Sequence, residues 1–281
     1  MEKIADARQL ALKANDIRVD IIKMLAEAGS GHSAGPLGLA DIFSCLYFNV
    51  LNLKPSEPKW PERDRFVLSN GHCAPVMYAA MAETGFFPKE ELMTLRKLGT
   101  RLQGHVDRMY LPGLENTNAS LGQGLGISAG MAYAAKLDGK KHRVFCGLGD
   151  GECEEGSVWE AAMFASHYKL DNLIAYVDFN NIQIDGFVSD VMAIEPFAEK
   201  WKAFGWNVLE TEGNDVSKIL KAFEWAEKNR GSGKPSMILF RTVPGKGVSF
   251  MEGKFEWHGK PPSKEEAEIA LKELAEARAK I

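Results

Sequence analysis

A glycine-rich segment, GLGDGECEEG at residues 147–156, combines features that favour a bound phosphate with a charge that opposes one. Glycines let the backbone approach a phosphate closely, and the amino terminus of a following helix favours an anion. The Asp150 carboxylate would repel that anion. The conflict disappears if a divalent cation lies between them, because Mg²⁺ commonly bridges one or two protein oxygens to phosphates.

A second polar segment follows the next predicted strand. Asn180 comes directly after the apolar residues 173–179, and Asp150 likewise follows the apolar segment 142–148. The carboxyl ends of parallel strands meet at one edge of a sheet, where ligands bind in open α/β folds. Residues 152–179 leave room for one helix and one strand between the two polar segments. This spacing predicts that Asp150 and Asn180 share one metal ion.

The glycine-rich segment has two other interpretations, a simple turn and a dinucleotide site. A GDG sequence by itself often forms only a strand–turn–helix corner with a solvated acidic cap, because glycine turns are common. A dinucleotide site would need the pattern GxGxxG, which neither 147–151 nor 122–126 matches. The pair Asn180–Asn181 at this spacing favours the metal–phosphate interpretation.

Apolar segments of strand length alternate with helical patterns along the chain. The predicted strands are residues 65–69, 142–148, 173–179, 206–211 and 236–242. The predicted helices are 3–28, one starting near Pro36, 73–83, 88–98, 121–137, 156–169, 196–203, 215–229 and 264–279. Apolar strands separated by helices indicate an α/β fold, a parallel sheet flanked by helices on both faces. We expect one domain of residues 1–281.

The ends of the first and last predicted helices carry recognisable capping residues. Gly29 is a plausible C-cap of the first helix. Ser263 and Glu266 form a capping box at the start of the last one. This last helix is mostly polar, so residues 263–281 are predicted to lie on the surface and to close the chain as a unit.

The composition limits the class of protein. A net charge of −4 over 281 residues argues against a surface for nucleic acid or for an anionic membrane. No run approaches the length of a membrane span, and the charged start MEKIADARQL does not fit a signal peptide. Four cysteines without a CxxC pair are typical of reduced thiols. These features predict a cytoplasmic protein.

Four of the six histidines are flanked by glycine: His32, His72, His105 and His258. A single Gly-His pair usually marks an ordinary loop. Four such pairs indicate a polar site assembled from loops. His142 and His167 lack this setting, and no role is assigned to them.

These segments together resemble the transketolase family of thiamine diphosphate enzymes. GDG at 149–151 followed by NN at 180–181 resembles the thiamine diphosphate pattern. Five further segments narrow the resemblance, in the family's order: SGHSAGPLG (30–38), DRFVLSNGHCAPVMYA (64–79), QGHVDR (103–108), LPGLENTNASLGQGLG (111–126) and WHG (257–259). The resemblance extends over residues 10–262 and implies the PP-type domain, which binds the diphosphate half of the cofactor.

The resemblance implies a set of metal ligands. In transketolases Mg²⁺ is held by the Asp of GDG, the Asn of NN and a backbone carbonyl two residues further on. The matching residues are Asp150, Asn180 and Ile182. Another divalent cation, such as Ca²⁺ or Mn²⁺, could take the same place.

The resemblance also implies a thiamine diphosphate site. His72 and His258 would contact the diphosphate, and the GDG backbone would lie against it. The residues implied as cofactor-binding are His72, Ala119, Leu121, Gly122, Gly149, Asp150, Gly151, Glu155, Asn180, Ile184 and His258. Within this set, Leu121 and Ile184 would surround the thiazolium ring.

Catalytic roles are implied for four residues. His32 and His105 match histidines that bind the sugar around its first carbons, and His258 also lies near the reacting centre in the family. Glu155 matches a glutamate that contacts a carboxylate of the partner half. The implied reaction is that of transketolase (EC 2.2.1.1), the transfer of a two-carbon ketol unit from a ketose phosphate to an aldose phosphate.

The chain lacks any segment that resembles the family's pyrimidine-binding half. The resemblance therefore implies the N-terminal subunit of a split transketolase, active with a separate C-terminal subunit, with two copies of each chain. The shared face is expected around 30–38, 119–126 and 150–186, where the apolar candidates for contact are Leu37, Leu121, Ile182, Ile184 and Phe187.

Other functions stay open at this point. Within the enzymes they are a transketolase for an unusual sugar, a 1-deoxyxylulose-5-phosphate synthase and a 2-oxoacid dehydrogenase alpha subunit. LSNGH and WHG favour transketolase over the last two. A non-catalytic binding module is the alternative of another class, although every implied metal ligand and site histidine is present.

Two residues depart from the family's pattern. Ser33 follows the first Gly-His, where the family commonly has proline, and Ala119 stands where a glycine carbonyl usually contacts the aminopyrimidine. Ala119 still offers a carbonyl, provided that the backbone there does not need a positive φ.

Overall fold

The computed structural model describes residues 3–281 and has a parallel sheet of five strands at its centre. The strands lie in the order β1-β2-β3-β7-β6, and a two-stranded antiparallel hairpin, β4-β5, lies apart from them. Their bounds are β1 Arg65–Leu68, β2 Val144–Gly149, β3 Leu173–Phe179, β4 Ile182–Gln183, β5 Gly186–Phe187, β6 Asn207–Glu212 and β7 Ser236–Arg241. The five predicted strands are therefore confirmed.

Helices cover both faces of the sheet. They are α1 Ala7–Ala28, α2 Ala34–Cys45, α3 Ala74–Glu83, α4 Gln123–Leu137, α5 Gly156–His167, α6 Val188–Val191, α7 Phe197–Ala203, α8 Val216–Lys228 and α9 Lys264–Arg278. Helices α1, α2, α3, α8 and α9 contribute to the core on one face, and α4, α5 and α7 to the core on the other.

The central strands are buried on both sides because their side chains alternate between these two cores. Phe145 and Tyr176 point into the core beside α1 and α2. Their neighbours Cys146 and Val177 point into the core beside α4 and α5. This is why the strands read as continuous apolar runs, and it confirms the predicted α/β arrangement.

The polar segments gather at the carboxyl edge of the sheet. Gly149 of β2 pairs in register with Asp178 of β3. The next residue on β2 is Asp150, and Asn180 follows the end of β3. The parallel register thus brings the two predicted metal ligands to the same edge, as the sequence predicts.

The prediction of a helix over 88–98 is wrong. Only Lys89–Thr94 are helical, as a 3₁₀ turn. Leu95 has a ψ of 128°, which is not helical, and both Arg96 and Gly99 adopt a positive φ, which an α-helix cannot accommodate. The hairpin β4-β5 and the one-turn helix α6, which follow Asn181, were not predicted from the sequence.

The predicted helix caps are present. Gly29 ends α1 in the left-handed conformation, and the capping box of Ser263 and Glu266 is formed. Helix α1 itself begins at Ala7 rather than at residue 3, because Asp6 caps it by accepting a hydrogen bond from the Arg8 amide at 3.1 Å. Helix α2 starts at Ala34, which places Pro36 in its first turn.

The last helix is only partly a surface helix. Its residues Ala267, Ala270 and Leu274 are buried, and α9 packs against α1. The Asn15 side chain on α1 also donates a hydrogen bond to the Leu274 carbonyl at 3.1 Å. A mostly polar helix can still bury a narrow apolar stripe, which the prediction of a surface position overlooked.

Within residues 3–281, no helix combines the length and the apolar character that crossing a bilayer requires.

Candidate functional site

A cavity of about 370 Å³ opens at the carboxyl edge of the sheet. Of the fourteen residues that the sequence analysis selected, all except Gly122 line it. They are His32, His72, His105, Ala119, Leu121, Gly149, Asp150, Gly151, Glu155, Asn180, Ile182, Ile184 and His258. The structure therefore brings together residues from loops that are far apart in the chain.

Asp150 is buried at the floor of this cavity. Its carboxylate accepts hydrogen bonds from the amides of Gly151 at 2.9 Å and Asn181 at 2.5 Å. Burial, together with the smaller effect of the nearby Asp178 carboxylate, raises the pKa of Asp150 to about 7. A cation at this carboxylate would relieve both effects and favour the ionised form.

Asn180 is held in place by a carboxylate that the sequence analysis missed. The Asn180 side-chain amide donates to Asp178 at 2.9 Å, and its oxygen accepts from the Ile182 amide at 2.9 Å. Asp178 is buried and also accepts a hydrogen bond from the Thr242 hydroxyl. A single aspartate inside the otherwise apolar strand LIAYVDF is the signal that could have revealed it.

The four carboxylates of the GDGECEE segment have different surroundings. Glu152 is buried and accepts hydrogen bonds from the Ser69 hydroxyl, from the Gly122 amide at 2.8 Å and from the Gly149 amide at 3.0 Å. These hydrogen bonds join three loops of the site. Because the Glu152 carboxylate is paired with these donors, it does not present an unpaired negative charge to a bound phosphate. Glu155 lines the cavity and is exposed.

Gly122 contributes through its backbone. It has a φ of 81°, and a Cβ atom at this position would lie 2.6 Å from the Ser157 hydroxyl oxygen. Only glycine fits both conditions. Its amide can then donate to Glu152, which fixes the loop that leads to Leu121 and Ala119.

Gly149 and Gly151 are not required by packing within the chain. Neither has a positive φ among the described residues. A Cβ atom would find its nearest neighbours at 3.9 Å for Gly149 and 3.5 Å for Gly151, both ordinary contacts. The open space above this backbone fits a ligand that approaches closely, and the adjacent Asp150 and Asn180 offer the oxygen donors that Mg²⁺ prefers.

The four glycine-flanked histidines form one cluster. The ring centroids lie 5.1 Å apart for His32 and His72, 5.0 Å for His72 and His258, 5.8 Å for His32 and His258, and 6.3 Å for His32 and His105. The Nδ1 atoms of His32 and His258 are buried and have no hydrogen-bond partner within the described chain. Buried polar atoms of this kind are usually paired, which indicates a ligand.

Burial keeps these imidazoles neutral. It lowers the pKa of His32 to about 4, with smaller contributions from His258, Arg96 and His105. It also lowers the pKa of His72, His105 and His258. A neutral imidazole can both donate and accept a hydrogen bond, which suits hydroxyl groups and phosphate oxygens.

The two departures from the family's pattern have structural explanations. The Ser33 hydroxyl is buried and donates to the Lys260 carbonyl at 2.6 Å, a bond that proline could not form. It joins the loop of His32 to the loop of His258. Ala119 is not among the residues with a positive φ, so alanine is compatible with this backbone.

Apolar side chains remain exposed around the cavity. Leu121 is 37% exposed, Ile184 59% and Phe187 36%. The expectation that Leu37 and Ile182 are also exposed on this face is wrong, since both are buried, although Ile182 still lines the cavity. Leu37 belongs to the core under α2, and the side chain of Ile182 packs into the same core.

Comparison with known proteins agrees with this geometry. The family profile described as "Transketolase, thiamine diphosphate binding domain" matches residues 9–277. The chain is 44% identical over 262 residues to the 6-deoxy-6-sulfo-D-fructose transketolase subunit SqwG of Clostridium sp. strain MSTE9, covering 93% of this chain and 94% of that one. It is 38% identical to one subunit of the apulose-4-phosphate transketolase of Phocaeicola vulgatus, covering 97% and 96%.

Solved structures show the same fold. The transketolase of Campylobacter jejuni superposes with a TM-score of 0.89 and 36% identity. The match covers 95% of this chain and 43% of that enzyme, so this chain spans less than half of the solved transketolase.

The fold and the site define a thiamine diphosphate binding domain of the α/β class. This chain belongs to the transketolase family, a family of transferase enzymes, and corresponds to the N-terminal part of its longer members.

Proposed function

We propose that this chain is the diphosphate-binding subunit of a two-chain transketolase that transfers a two-carbon ketol unit from a ketose to an aldose. One observation carries the proposal. A single cavity joins the oxygen donors Asp150 and Asn180 to a cluster of four neutral histidines, so a diphosphate–metal site and a hydroxyl-binding site are continuous.

The diphosphate end of the cavity fits the proposed cofactor. The side chains of Asp150 and Asn180 and the carbonyl of Ile182 would hold Mg²⁺, or Ca²⁺ or Mn²⁺ in its place. Gly149 and Gly151 leave room for the diphosphate. When bound, thiamine diphosphate supplies the carbon nucleophile and the electron sink that cleavage of a ketose carbon–carbon bond requires.

The remaining residues would orient the ligands. Leu121 and Ile184 offer apolar surface to the thiazolium ring, while the carbonyl of Ala119 would face the aminopyrimidine. His72 and His258 would donate hydrogen bonds to the diphosphate.

The sugar would bind at the outer part of the histidine cluster. His32 and His105 would donate hydrogen bonds to the hydroxyl and carbonyl oxygens around the first carbons of the sugar, and His258 would reach the reacting centre. Because burial keeps these imidazoles neutral at pH 7, each of them can hold or pass on a proton.

A separate chain would complete the site. Two relatives that this chain matches over at least 94% of their length are named as subunits. The open cavity with exposed Leu121 and Ile184 also needs a facing wall to exclude water. Glu155 is exposed at this face, where it can meet a carboxylate of the partner. We propose two copies of each chain in a cytoplasmic assembly that acts on sugar phosphates or related anionic sugars.

The proposed reaction has two candidate sugar donors. The reaction of EC 2.2.1.1 is one candidate. A ketol transfer from a less common sugar is the second, favoured because relatives that match over 94% and 96% of their own length are named for 6-deoxy-6-sulfo-D-fructose and apulose-4-phosphate.

A panel of donors tests the function. Co-purified with its pyrimidine-half partner, the enzyme is expected to transfer a two-carbon unit from at least one of xylulose 5-phosphate, 6-deoxy-6-sulfofructose and apulose 4-phosphate to an aldose phosphate. Mass spectrometry of the products measures the transfer, and omission of thiamine diphosphate is the control. A complex that binds the cofactor but transforms no ketose on this panel would contradict the proposal.

The histidines are expected to separate by role. His32→Ala and His105→Ala should reduce sugar turnover more than cofactor binding, whereas His72→Ala should mainly weaken cofactor binding. Loss of a hydrogen bond to a charged group costs about 1.5–3 kcal/mol, which corresponds to about ten- to a hundredfold. Calorimetric titration with thiamine diphosphate and steady-state kinetics measure the two effects. The opposite ranking would refute these roles, and exposed His167→Ala serves as the unaffected control.

A further inference from the structure

Arg96 lies beside the histidine cluster, in the irregular segment that replaces the predicted helix. Its backbone has a φ of 61°, and its amide donates to the Leu102 carbonyl at 3.0 Å. A positive φ is uncommon outside glycine and asparagine. The side chain is exposed and forms no ion pair or hydrogen bond with residues 3–281. Neither its own packing nor an ion pair explains an arginine here.

The guanidinium of Arg96 occupies the space beside two glycines. A Cβ atom on Gly104 would lie 2.8 Å from the Arg96 Cζ atom and 2.9 Å from its Nε atom. A Cβ atom on Gly31 would lie 3.7 Å from the same Nε atom. These glycines directly precede His105 and His32. One planar side chain therefore spans the two loops that carry these imidazoles.

Helix α3 also holds the loop of His105 in place. The Tyr78 hydroxyl on α3 lies 2.9 Å from the Gln103 carbonyl and 3.4 Å from the His105 carbonyl. This contact fixes the backbone of one loop but does not reach the loop of His32. Among the described contacts, the link between the two loops on this side is therefore the Arg96 side chain.

Arg96 also acts on the two imidazoles through its charge. The positive charge of Arg96 lowers the pKa of both His32 and His105, after the larger effect of burial. The other titratable groups around His32 are His72, His258 and His105. Near His105, the Asp107 carboxylate is engaged by the Met109 amide and the Thr117 hydroxyl, both at 2.9 Å.

We propose that Arg96 is a positioning residue that sets the spacing and orientation of His32 and His105 for the sugar. The inference rests on the proposed function, because the sugar is the ligand assigned to these histidines. Lysine at this position would keep the charge but lose the planar surface that packs on the glycines. Methionine would lose both.

Two substitutions separate geometry from charge, and Lys97→Met is the matched control because Lys97 is an exposed neighbour that pairs with Glu27. In the full chain with ¹⁵N-labelled histidine, Arg96→Lys and Arg96→Met should both shift the His32 and His105 ring resonances at pH 8. Arg96→Met should also raise the pKa of both rings, because removing a cation makes the imidazolium easier to form. Lys97→Met should leave these signals in place.

Kinetics of the reconstituted enzyme complete the test. Both Arg96 variants should raise KM for the sugar by about tenfold, the equivalent of about 1.4 kcal/mol, with a smaller change in kcat and in thiamine diphosphate affinity. The acidic limb of the pH profile of kcat/KM should move to higher pH in Arg96→Met but not in Arg96→Lys. If the Arg96 variants have the same His32 and His105 resonances as Lys97→Met, or the same KM for the sugar, the inference is overturned. If no variant and no parent enzyme transfers ketol groups, the proposed function fails, and the NMR result still decides whether Arg96 positions the rings.

Discussion

Purified alone and supplied with thiamine diphosphate, Mg²⁺, xylulose 5-phosphate and ribose 5-phosphate, the chain is expected to form no sedoheptulose 7-phosphate. With a pyrimidine-half subunit added, ketol transfer should appear from at least one of xylulose 5-phosphate, 6-deoxy-6-sulfofructose and apulose 4-phosphate, whereas the chain alone should use none of them. The described residues that line the cavity include no lysine or arginine to bind a sugar phosphate, and the cavity is open to solvent on its apolar side at Leu121 and Ile184. We expect the second chain to supply the general acid or base that activates the cofactor. Because a positioned general acid or base contributes about 10²–10⁴-fold, the difference should be at least of this size.

The first control for this result is an assay of the pyrimidine-half chain by itself. Light scattering of the active complex should give two copies of each chain, since closed two-fold assemblies are the commonest arrangement. Clear turnover by the isolated chain, free of any second protein, would overturn the split-subunit proposal and would direct the search to an activating carboxylate within these 281 residues.

Substitution of Asp150 is expected to have the largest effect of any single residue. Asp150→Ala and Asp150→Asn should abolish cofactor-dependent activity in the reconstituted enzyme, because the proposed metal then loses its only charged ligand within the chain. The fold should persist, most clearly in Asp150→Asn. The asparagine side chain keeps one oxygen to accept from the Gly151 or Asn181 amide, whereas alanine leaves both buried donors without this partner, at about 1–3 kcal/mol each.

Two measurements separate loss of function from loss of fold. Calorimetry should show that thiamine diphosphate binding no longer responds to Mg²⁺, while circular dichroism and the thermal unfolding midpoint of Asp150→Asn stay close to the parent. Asp138→Asn, at the exposed end of α4, is the matched control and should leave both properties unchanged. Turnover of Asp150→Ala equal to the parent would exclude the proposed metal site.

The part of the site that depends on strand ends was predictable from the sequence. Asp150 and Asn180 each follow a continuous apolar segment, and parallel strands place their carboxyl ends at one edge. The register between β2 and β3 leaves the two residues as neighbours, as predicted. The same local logic identified Gly29 and Ser263 as helix ends, because capping depends on a few adjacent residues.

The supporting interactions were not predictable in this way. Asp178 appeared as one aspartate in an apolar strand, and only its contact with Asn180 shows that it orients a proposed ligand. Glu152 appeared as one of four carboxylates in an acidic turn, yet it joins loops that lie at Ser69 and Gly122. Such hydrogen bonds connect residues far apart in the chain, and no sequence spacing encodes them.

The sequence by itself determined the fold class and the sheet edge at which the site forms, because strand hydrophobicity and glycine turns are local properties. It also identified 13 of the 19 residues that line the cavity. Only the tertiary structure decided how these residues act together. It brought the rings of His32, His72 and His258 within 5.0–5.8 Å of one another and the ring of His105 to 6.3 Å from His32, and their burial made them neutral. It also ended the predicted helix at Leu95, which left Arg96 free to lie between Gly31 and Gly104. Desolvation and loop-to-loop contacts depend on how distant segments pack, and packing is a property of the whole chain.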